Sequence, residues 1–421
     1  MAGGGVGLSE VVLRGRWSVA DRVAGEVRRL PFEVGTGVAA VRVELAYDRD
    51  SGGVLDLGCW GPGGFRGWSG GARESFTVAA DWATPGYLPG EPEPGLWHVL
   101  LRLHRVPPQG VAYTLRVVTT GRRPVPPAQA APPVPPERPP RTPLPAVDGM
   151  RWLAGDFHAH TVHSDGALTV SELAALAVTR GLDFLAVTDH NTVSHHAELA
   201  AVGARYGITL VPGQEVTTDL GHANVFGDTG WVDFREPADT WGAQIERRGG
   251  VLSVNHPVAT DCSWRLPLAP RLRARHVELW HPTWRDRRYG APLAWALAWR
   301  PDVIAIGGSD FHRPGGERPP PGSPTTWVLA RDNSVRSVLA GLAAGRTAVH
   351  AGGPRAALLL RTGGELLALN AAGTVLVRPD GGRQMVAGER ESLPAPPPGP
   401  DEPGGPYRLE GPGNEVLALC Q

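Results

Sequence analysis

The chain has 421 residues, enough for two or more domains. Its 41 basic and 42 acidic side chains give a formal net charge of -1, without the basic excess of a nucleic-acid-binding surface. Every basic side chain is arginine, which excludes the phosphate-loop lysine of nucleotide triphosphatases and any Schiff-base chemistry. Three widely spaced cysteines, Cys59, Cys262 and Cys420, suggest neither a disulfide framework nor a thiolate zinc site. No apolar run approaches the ~18 residues of a membrane helix, and residues 1–10 lack a secretory pattern. The expectation is a soluble, cytoplasmic protein with no membrane and no nucleic-acid partner.

From residue 10 to 120, short apolar runs alternate with glycine-rich turns, as at 41–45, 54–57, 97–101 and 113–118. This predicts an all-β sandwich or jelly roll over residues 1–121. Trp60, Phe65 and Trp68 fit core packing or contact with another domain better than a sugar-binding platform. Gly67-Trp68-Ser69-Gly70-Gly71 matches the G-x-S-x-G pattern of hydrolase nucleophiles but lacks the strand before and the helix after that the pattern needs. Residues 122–147 are a proline-rich linker, read as a polyproline spacer or a strap along a domain surface.

Residues 148–350 alternate strand-like and helix-like runs. Thr169-Val170-Ser171-Glu172 is a capping box that opens a helix ending at Gly181. Further helices are predicted over 193–206, 238–248, 292–299 and 335–344, between strands at 184–187, 208–211, 223–226, 251–254, 276–280 and 303–306. Repeated β-α units predict an α/β fold, a distorted TIM-like (β/α)7 barrel. Short strands then return, and residues 351–421 read as a small β appendage.

The strand ends carry the chemistry. His158 and His160 project from one face of a strand, because side chains alternate with period two, and Asp165 follows in a Ser-Asp-Gly turn. His190, Glu215, His222 and His256 each end an apolar run, and Asp310 and His312 repeat the two-residue spacing. Left unpaired, so many ionisable groups would cost several kcal/mol apiece. A cluster of metal ions removes that cost, and imidazole with carboxylate but no thiolate points to zinc, manganese or iron.

In this order, His-x-His with Ser-Asp-Gly, Thr-Asp-His-Asn, Glu215, Gly-His, Asn-His-Pro and Ser-Asp-x-His resemble the PHP superfamily, named for polymerase and histidinol phosphatase. The nearest branch is that of the carbaryl-hydrolase-like metallohydrolases, and the likeness covers residues 150–350. It implies two or three divalent ions. His158, His160, Glu215 and Asp310 would surround one, and Glu215 would bridge to a second held by His222 and His256. Asp165, His190 and His312 would bind a third or complete an alternative pair. A metal-bridging hydroxide would attack a small-molecule substrate, most simply a phosphate mono- or diester. Asp310 is the candidate proton shuttle, His281 a donor to substrate, and Arg285, with Arg265 and Arg313, a candidate phosphate clamp. Asp189 would orient His190 or cap the next helix, while His163, His195 and His196 would face solvent. The rival readings are hydrolysis of a carbamate, amide or other carboxyl derivative, and a glycan- or surface-binding protein whose barrel is only a scaffold.

Overall fold

A computed structural model describes residues 8–25, 27–128, 130–141, 143–395 and 406–421. The chain divides into two compact units. One comprises Met1–Ala131, Val162–Asp165 and His190–His195, and the other Pro132–Thr161, Gly166–Asp189 and His196–Gln421.

In the first unit, β1 (Ser9–Trp17), β2 (Val27–Val34), β3 (Ala40–Tyr47), β4 (Val54–Gly61), β5 (Gly64–Gly70), β6 (Ser75–Ala79), β7 (Gly95–Arg105) and β8 (Val111–Thr120) build two four-stranded antiparallel sheets. Their orders are β1-β8-β3-β6 and β2-β7-β4-β5. The alternation read in the sequence sorts the faces: Trp97, Val99, Leu101 and Leu103 of β7 enter one core with Phe32, Val43, Leu57 and Leu115. Trp68 is buried, whereas Trp60 and Phe65 are half-buried. Ser69, the serine of the G-x-S-x-G match, lies in β5 with its hydroxyl 2.9 Å from the Tyr87 hydroxyl, which is not a base that could activate it.

The second unit contains β9 (Arg151–Asp156), α1 (Val170–Thr179), β10 (Phe184–Val187), α2 (His196–Tyr206), β11 (Thr209–Thr218), β12 (Gly221–Phe226), α3 (Ala238–Arg247), β13 (Val251–Val254), β14 (His276–Trp280), α4 (Ala291–Trp299), β15 (Ile304–Gly307), β16 (Thr325–Ala330), α5 (Val335–Ala343) and β17 (Thr347–His350). The capping box forms as read: Thr169 accepts from the Glu172 amide, and the Glu172 side chain returns to the Thr169 amide. The helix expected from residue 193 begins instead at His196.

The expected closed (β/α)7 barrel is corrected to an open, mixed sheet, ordered β15-β14-β13-β12-β11-β10-β9-β16-β17 through this region. Only β9-β10-β11 and β13-β14-β15 are parallel; β12 is antiparallel to both β11 and β13. The reason is the hairpin at Asp219-Leu220, which returns β11 directly as β12 with no crossover helix to bring the strand round parallel. Among the described residues no ladder joins β15 to β16. Their closest link is the Thr326 hydroxyl, 2.8 Å from both the amide and the carbonyl of Gly307.

Where a small β appendage was expected over residues 351–421, the described residues 351–395 and 406–421 pair and pack with the second unit. The strands β18 (Leu358–Thr362), β19 (Glu365–Leu369), β20 (Val375–Val377), β21 (Arg383–Met385), β22 (Arg390–Pro394), β23 (Tyr407–Glu410) and β24 (Val416–Cys420) follow β17. β24 pairs with β17, so β24-β23-β20-β21 lengthens the large sheet, and Leu358, Leu366 and Leu393 share a core with Trp152 and Trp327. The proline-rich stretch straps the same unit. Pro133 accepts from the Tyr206 hydroxyl, Arg138 donates to the carbonyls of Leu182 and Gly207, and Arg141 pairs with Asp183. No helix among the described residues is long and apolar enough to cross a membrane.

Candidate metal centre

The chain beyond β9 builds the first wall of the site. Phe157 and Ala159 are buried in hydrophobic clusters, so the alternate residues His158 and His160 face the other way, and both are fully buried. Glu215 in β11 and His222 in β12 share a sheet face across the hairpin, with Thr217 opposite His222. His256 and Asp310 follow the ends of β13 and β15 with φ of 27° and 50°. This left-handed backbone costs a non-glycine residue about 1–3 kcal/mol and persists where its surroundings impose it.

These segments converge on two carboxylates. Glu215 Oε1 lies 3.4 Å from His158 Nε2, 3.1 Å from His222 Nδ1 and 3.4 Å from His256 Nε2, while Glu215 Oε2 is 3.6 Å from His160 Nε2. Asp310 Oδ1 is 3.3 Å from His158 Nε2 and 3.1 Å from His160 Nε2. His281 joins through its Nε2, 3.2 Å from Asp310 Oδ2, and its Nδ1 is 2.8 Å from the Thr283 hydroxyl.

Around them stands a further layer, of which the sequence reading singled out only Asp189. Glu278, inside the fully buried strand β14, accepts from His158 Nδ1 at 2.9 Å and from the His256 amide at 3.0 Å. A carboxylate within His-Val-Glu-Leu-Trp was the available signal, since an acid in a buried run needs a partner. Asp156 accepts from the amides of His158, Ser309 and Gly322 and so ties three segments together. Burial raises its carboxyl to about 6, against the pull of those donors. Asp189 accepts from the amide and the hydroxyl of Thr161 at 2.9 and 2.6 Å, which fixes the turn after His160.

The electrostatics call for a cation. Burial opposes charge on His158, but Glu278, Glu215 and Asp310 outweigh it and raise the imidazole well above its ordinary range. Burial likewise pushes the Asp310 carboxyl up, and the His158, His160 and His281 imidazoles overcome it and hold Asp310 well below the usual carboxylate range. With Nδ1 committed to Glu278, His158 Nε2 is buried, has no hydrogen bond, and faces two carboxylate oxygens. Either a proton on Nε2 or a metal ion must offset the two anions, and a lone pair left there would be repulsive. The ligand atoms of His158, His160 and Asp310 lie within 4.8 Å of one another, as do those of His158, Glu215 and His256 and of His256, Glu278 and His281. Imidazole and carboxylate donors at such spacing fit zinc, manganese or iron.

The remaining expected residues fall out as follows. Asp165 and His190 belong to the first unit, where His190 Nε2 is 3.6 Å from Asp165 Oδ1. His312 belongs to the second, its ring stacked 4.3 Å from His160 and its Nδ1 2.8 Å from the Asp310 carbonyl. His195 is fully buried and His163 and His196 half-buried, contrary to the solvent-facing expectation. Arg265 donates to the carbonyls of Asp219 and Asp261, and Arg313 is exposed. Arg285 is exposed and forms no ion pair with the cluster. The arginine at the carboxylates is Arg318, 2.9 Å from Asp310 Oδ2.

Residues 156–256 match the family described as "PHP domain". Over 94 residues the chain is 39% identical to a 3',5'-nucleoside bisphosphate phosphatase of Chromobacterium violaceum, covering 22% of this chain and 33% of that enzyme. Over 64 residues it is 36% identical to a 5'-3' exoribonuclease of Haemophilus influenzae, covering 15% of this chain and 23% of the relative. The chain thus spans a third or less of the length of these relatives. Among solved structures, a two-domain protein of Bacteroides vulgatus, described as containing a predicted PHP-like metal-dependent phosphoesterase, aligns at 17% identity with a TM-score of 0.40. That alignment covers 68% of this chain and 91% of the other.

Proposed function

We propose that this chain, with a PHP domain at residues 156–256, is a metal-dependent phosphoesterase. One observation carries the reading: His158 Nε2, buried and without a hydrogen bond, faces Glu215 and Asp310 at 3.4 and 3.3 Å. His158, His160, Glu215, His222, His256 and Asp310 would hold the ions. Bound there, divalent ions would polarise a phosphoryl oxygen and acidify water.

The chain's own residues do the rest. Glu278 fixes the His158 tautomer, so that Nε2 is the ligand atom. Burial lowers the His281 imidazole, against the pull of Glu278 and Asp310, and keeps it neutral near pH 7. Its Nε2, at 3.2 Å from Asp310 Oδ2, can pass a proton between that carboxylate and a departing oxygen. Arg318 sets a planar guanidinium beside the same carboxylate, where it can receive phosphoryl oxygens. The curated relatives are named for a nucleoside bisphosphate and for RNA. Their names put nucleotide phosphates first among substrates, and RNA ends within the class.

The test is hydrolysis by chelator-treated protein resupplied with manganese or zinc. The substrates are nitrophenyl phosphate, bis-nitrophenyl phosphate, adenosine 3',5'-bisphosphate and naphthyl carbamate. Turnover of at least one phosphate ester, abolished by Glu215→Gln, is the expected result. Turnover of the carbamate alone would assign the site to carboxyl derivatives instead.

A further inference from the structure

The segments Val162–Asp165 and His190–His195 cluster with the β-sandwich, although each continues from the second unit in sequence. They are held by one turn of the sandwich, residues 84–87, closed by the Tyr87 amide on the Thr84 carbonyl at 2.9 Å. The Gly86 amide donates to Ser194 Oγ at 3.0 Å, and the Gly86 carbonyl accepts from Thr192 Oγ1 at 2.9 Å. Arg73 donates from Nε to the Pro85 carbonyl at 3.1 Å and from its terminal nitrogen to the Val162 carbonyl. Ser194 Oγ lies 2.7 Å from His163 Nδ1 and so joins the two segments. The approach requires glycine: Gly86 has φ of +100°, and a Cβ there would lie 2.9 Å from the His163 and Trp68 carbonyl oxygens.

Two candidate ligands sit beside these anchors. Asp165 follows His163 by two residues and His190 precedes Thr192 by two. Their facing atoms are 3.6 Å apart, with side chains 44% and 22% exposed. Short connecting loops are ordinarily the first segments to open. Here the sandwich framework fastens both segments within three residues of each ligand.

We propose that the sandwich turn 84–87, with Arg73, is a positioning device that orders Asp165 and His190 for one metal ion. Thr192, Ser194 and Arg73 are positioning residues, since they act through the backbone of the ligand-bearing segments. The inference rests on reading Asp165 and His190 as ligands.

The full-length double variant Thr192→Val/Ser194→Ala removes both anchors to Gly86 without touching a ligand or the sandwich core. Hydrogen exchange of the chelated protein reads the clamp, and manganese stoichiometry by elemental analysis reads its consequence, with Asp165→Asn as reference. Expected are roughly tenfold faster exchange in residues 162–165 and 190–195, unchanged exchange in β3 and β8, and loss of the same manganese equivalent that Asp165→Asn loses. Arg73→Ala should do the same to residues 162–165. Unchanged exchange overturns the proposal, and so does faster exchange with full stoichiometry. If Asp165→Asn itself keeps the wild-type stoichiometry, the ligand premise falls and takes the proposal with it, while the phosphoesterase reading stands on the His158 cluster.

Discussion

His158 Nδ1 lies 2.9 Å from Glu278 Oε1, and this contact decides which nitrogen of the ring faces the two converging carboxylates. Because Nδ1–H donates to Glu278, Nε2 is the nitrogen left to meet a metal ion, toward Glu215 and Asp310. The second Glu278 oxygen accepts from the His256 amide, so one side chain sets two ligand-bearing segments.

Glu278→Gln therefore should weaken manganese or zinc binding by about 10- to 100-fold, the usual consequence of losing a group that orients a ligand. The amide cannot accept at both of its ends, so either the His158 ring or the His256 segment loses its hold. Competition against a chromophoric chelator measures the effect. Wild-type affinity in this variant would remove Glu278 from the account.

Gly308→Ala tests the same geometry by crowding. A Cβ at residue 308 would overlap His158 Cβ and Glu278 Oε1, and its backbone needs no left-handed conformation, so the whole effect is steric. Overpacking of this kind costs about 1–3 kcal/mol. The expected outcome is a folded protein, melting a few degrees lower in chelator, whose metal affinity falls with that of Glu278→Gln. Intact affinity would mean that the His158–Glu278 pair tolerates displacement.

Much of this centre was legible because its signals are local. The period-two alternation at Phe157, His158, Ala159 and His160 fixes which side chains point together, and the Thr169–Glu172 box fixes where a helix starts. What escaped depends on direction in space. The turn at Asp219-Leu220 reads equally well as a loop toward a crossover or as the hairpin it is, and that choice separates an all-parallel sheet from the mixed one. Arg318 was passed over for Arg285 and Arg313 because it lies in a proline- and glycine-rich loop, where sequence spacing says nothing about which guanidinium turns inward.

Metal loading should raise the melting temperature. An ion bound only by the folded chain stabilises it by about 2.7 kcal/mol at a hundredfold excess over its dissociation constant. For a unit of this size that is roughly 4–5 °C. Glu215→Gln, which removes the carboxylate approached by His158, His160, His222 and His256, should erase the difference between loaded and chelated protein. Calorimetric scans with and without manganese decide this, and an equal shift in wild type and variant would move the ion elsewhere.

Acid should destabilise the second unit through histidines remote from the carboxylate pair. Burial pushes His350 down to about 4, from 6.5 in an exposed chain. The unfolded form then binds the proton more readily than the folded form. The stability is fully present above pH 6.5 and is lost as pH falls from there toward 4, about 3 kcal/mol in all. His276, also pushed down to about 4 by burial, adds a parallel loss. In His350→Phe, urea midpoints at pH 7, 5.5 and 4.5 should decline less steeply than in wild type. An identical decline would show that His350 does not titrate on unfolding.

Arg318 separates the phosphate reading from its carboxyl rival. Its guanidinium is 2.9 Å from Asp310 Oδ2 and one-third exposed, so it can keep that contact while offering its other N–H groups to a substrate. A charge-assisted hydrogen bond to a phosphoryl oxygen contributes about 1.5–3 kcal/mol, or roughly 10- to 100-fold in affinity. Arg318→Met, which keeps much of the side chain's length, should raise KM for a phosphate ester by that factor and lower kcat much less. Arg318→Lys should recover only part of the loss, because an ammonium cannot bind two oxygens in the plane of a fork. A neutral carbamate offers no anionic oxygen before it reacts, so its KM should not move. If Arg318→Met leaves KM for phosphate esters unchanged and lowers only kcat, the guanidinium serves Asp310 rather than the substrate, and phosphate recognition must be sought in another part of the site.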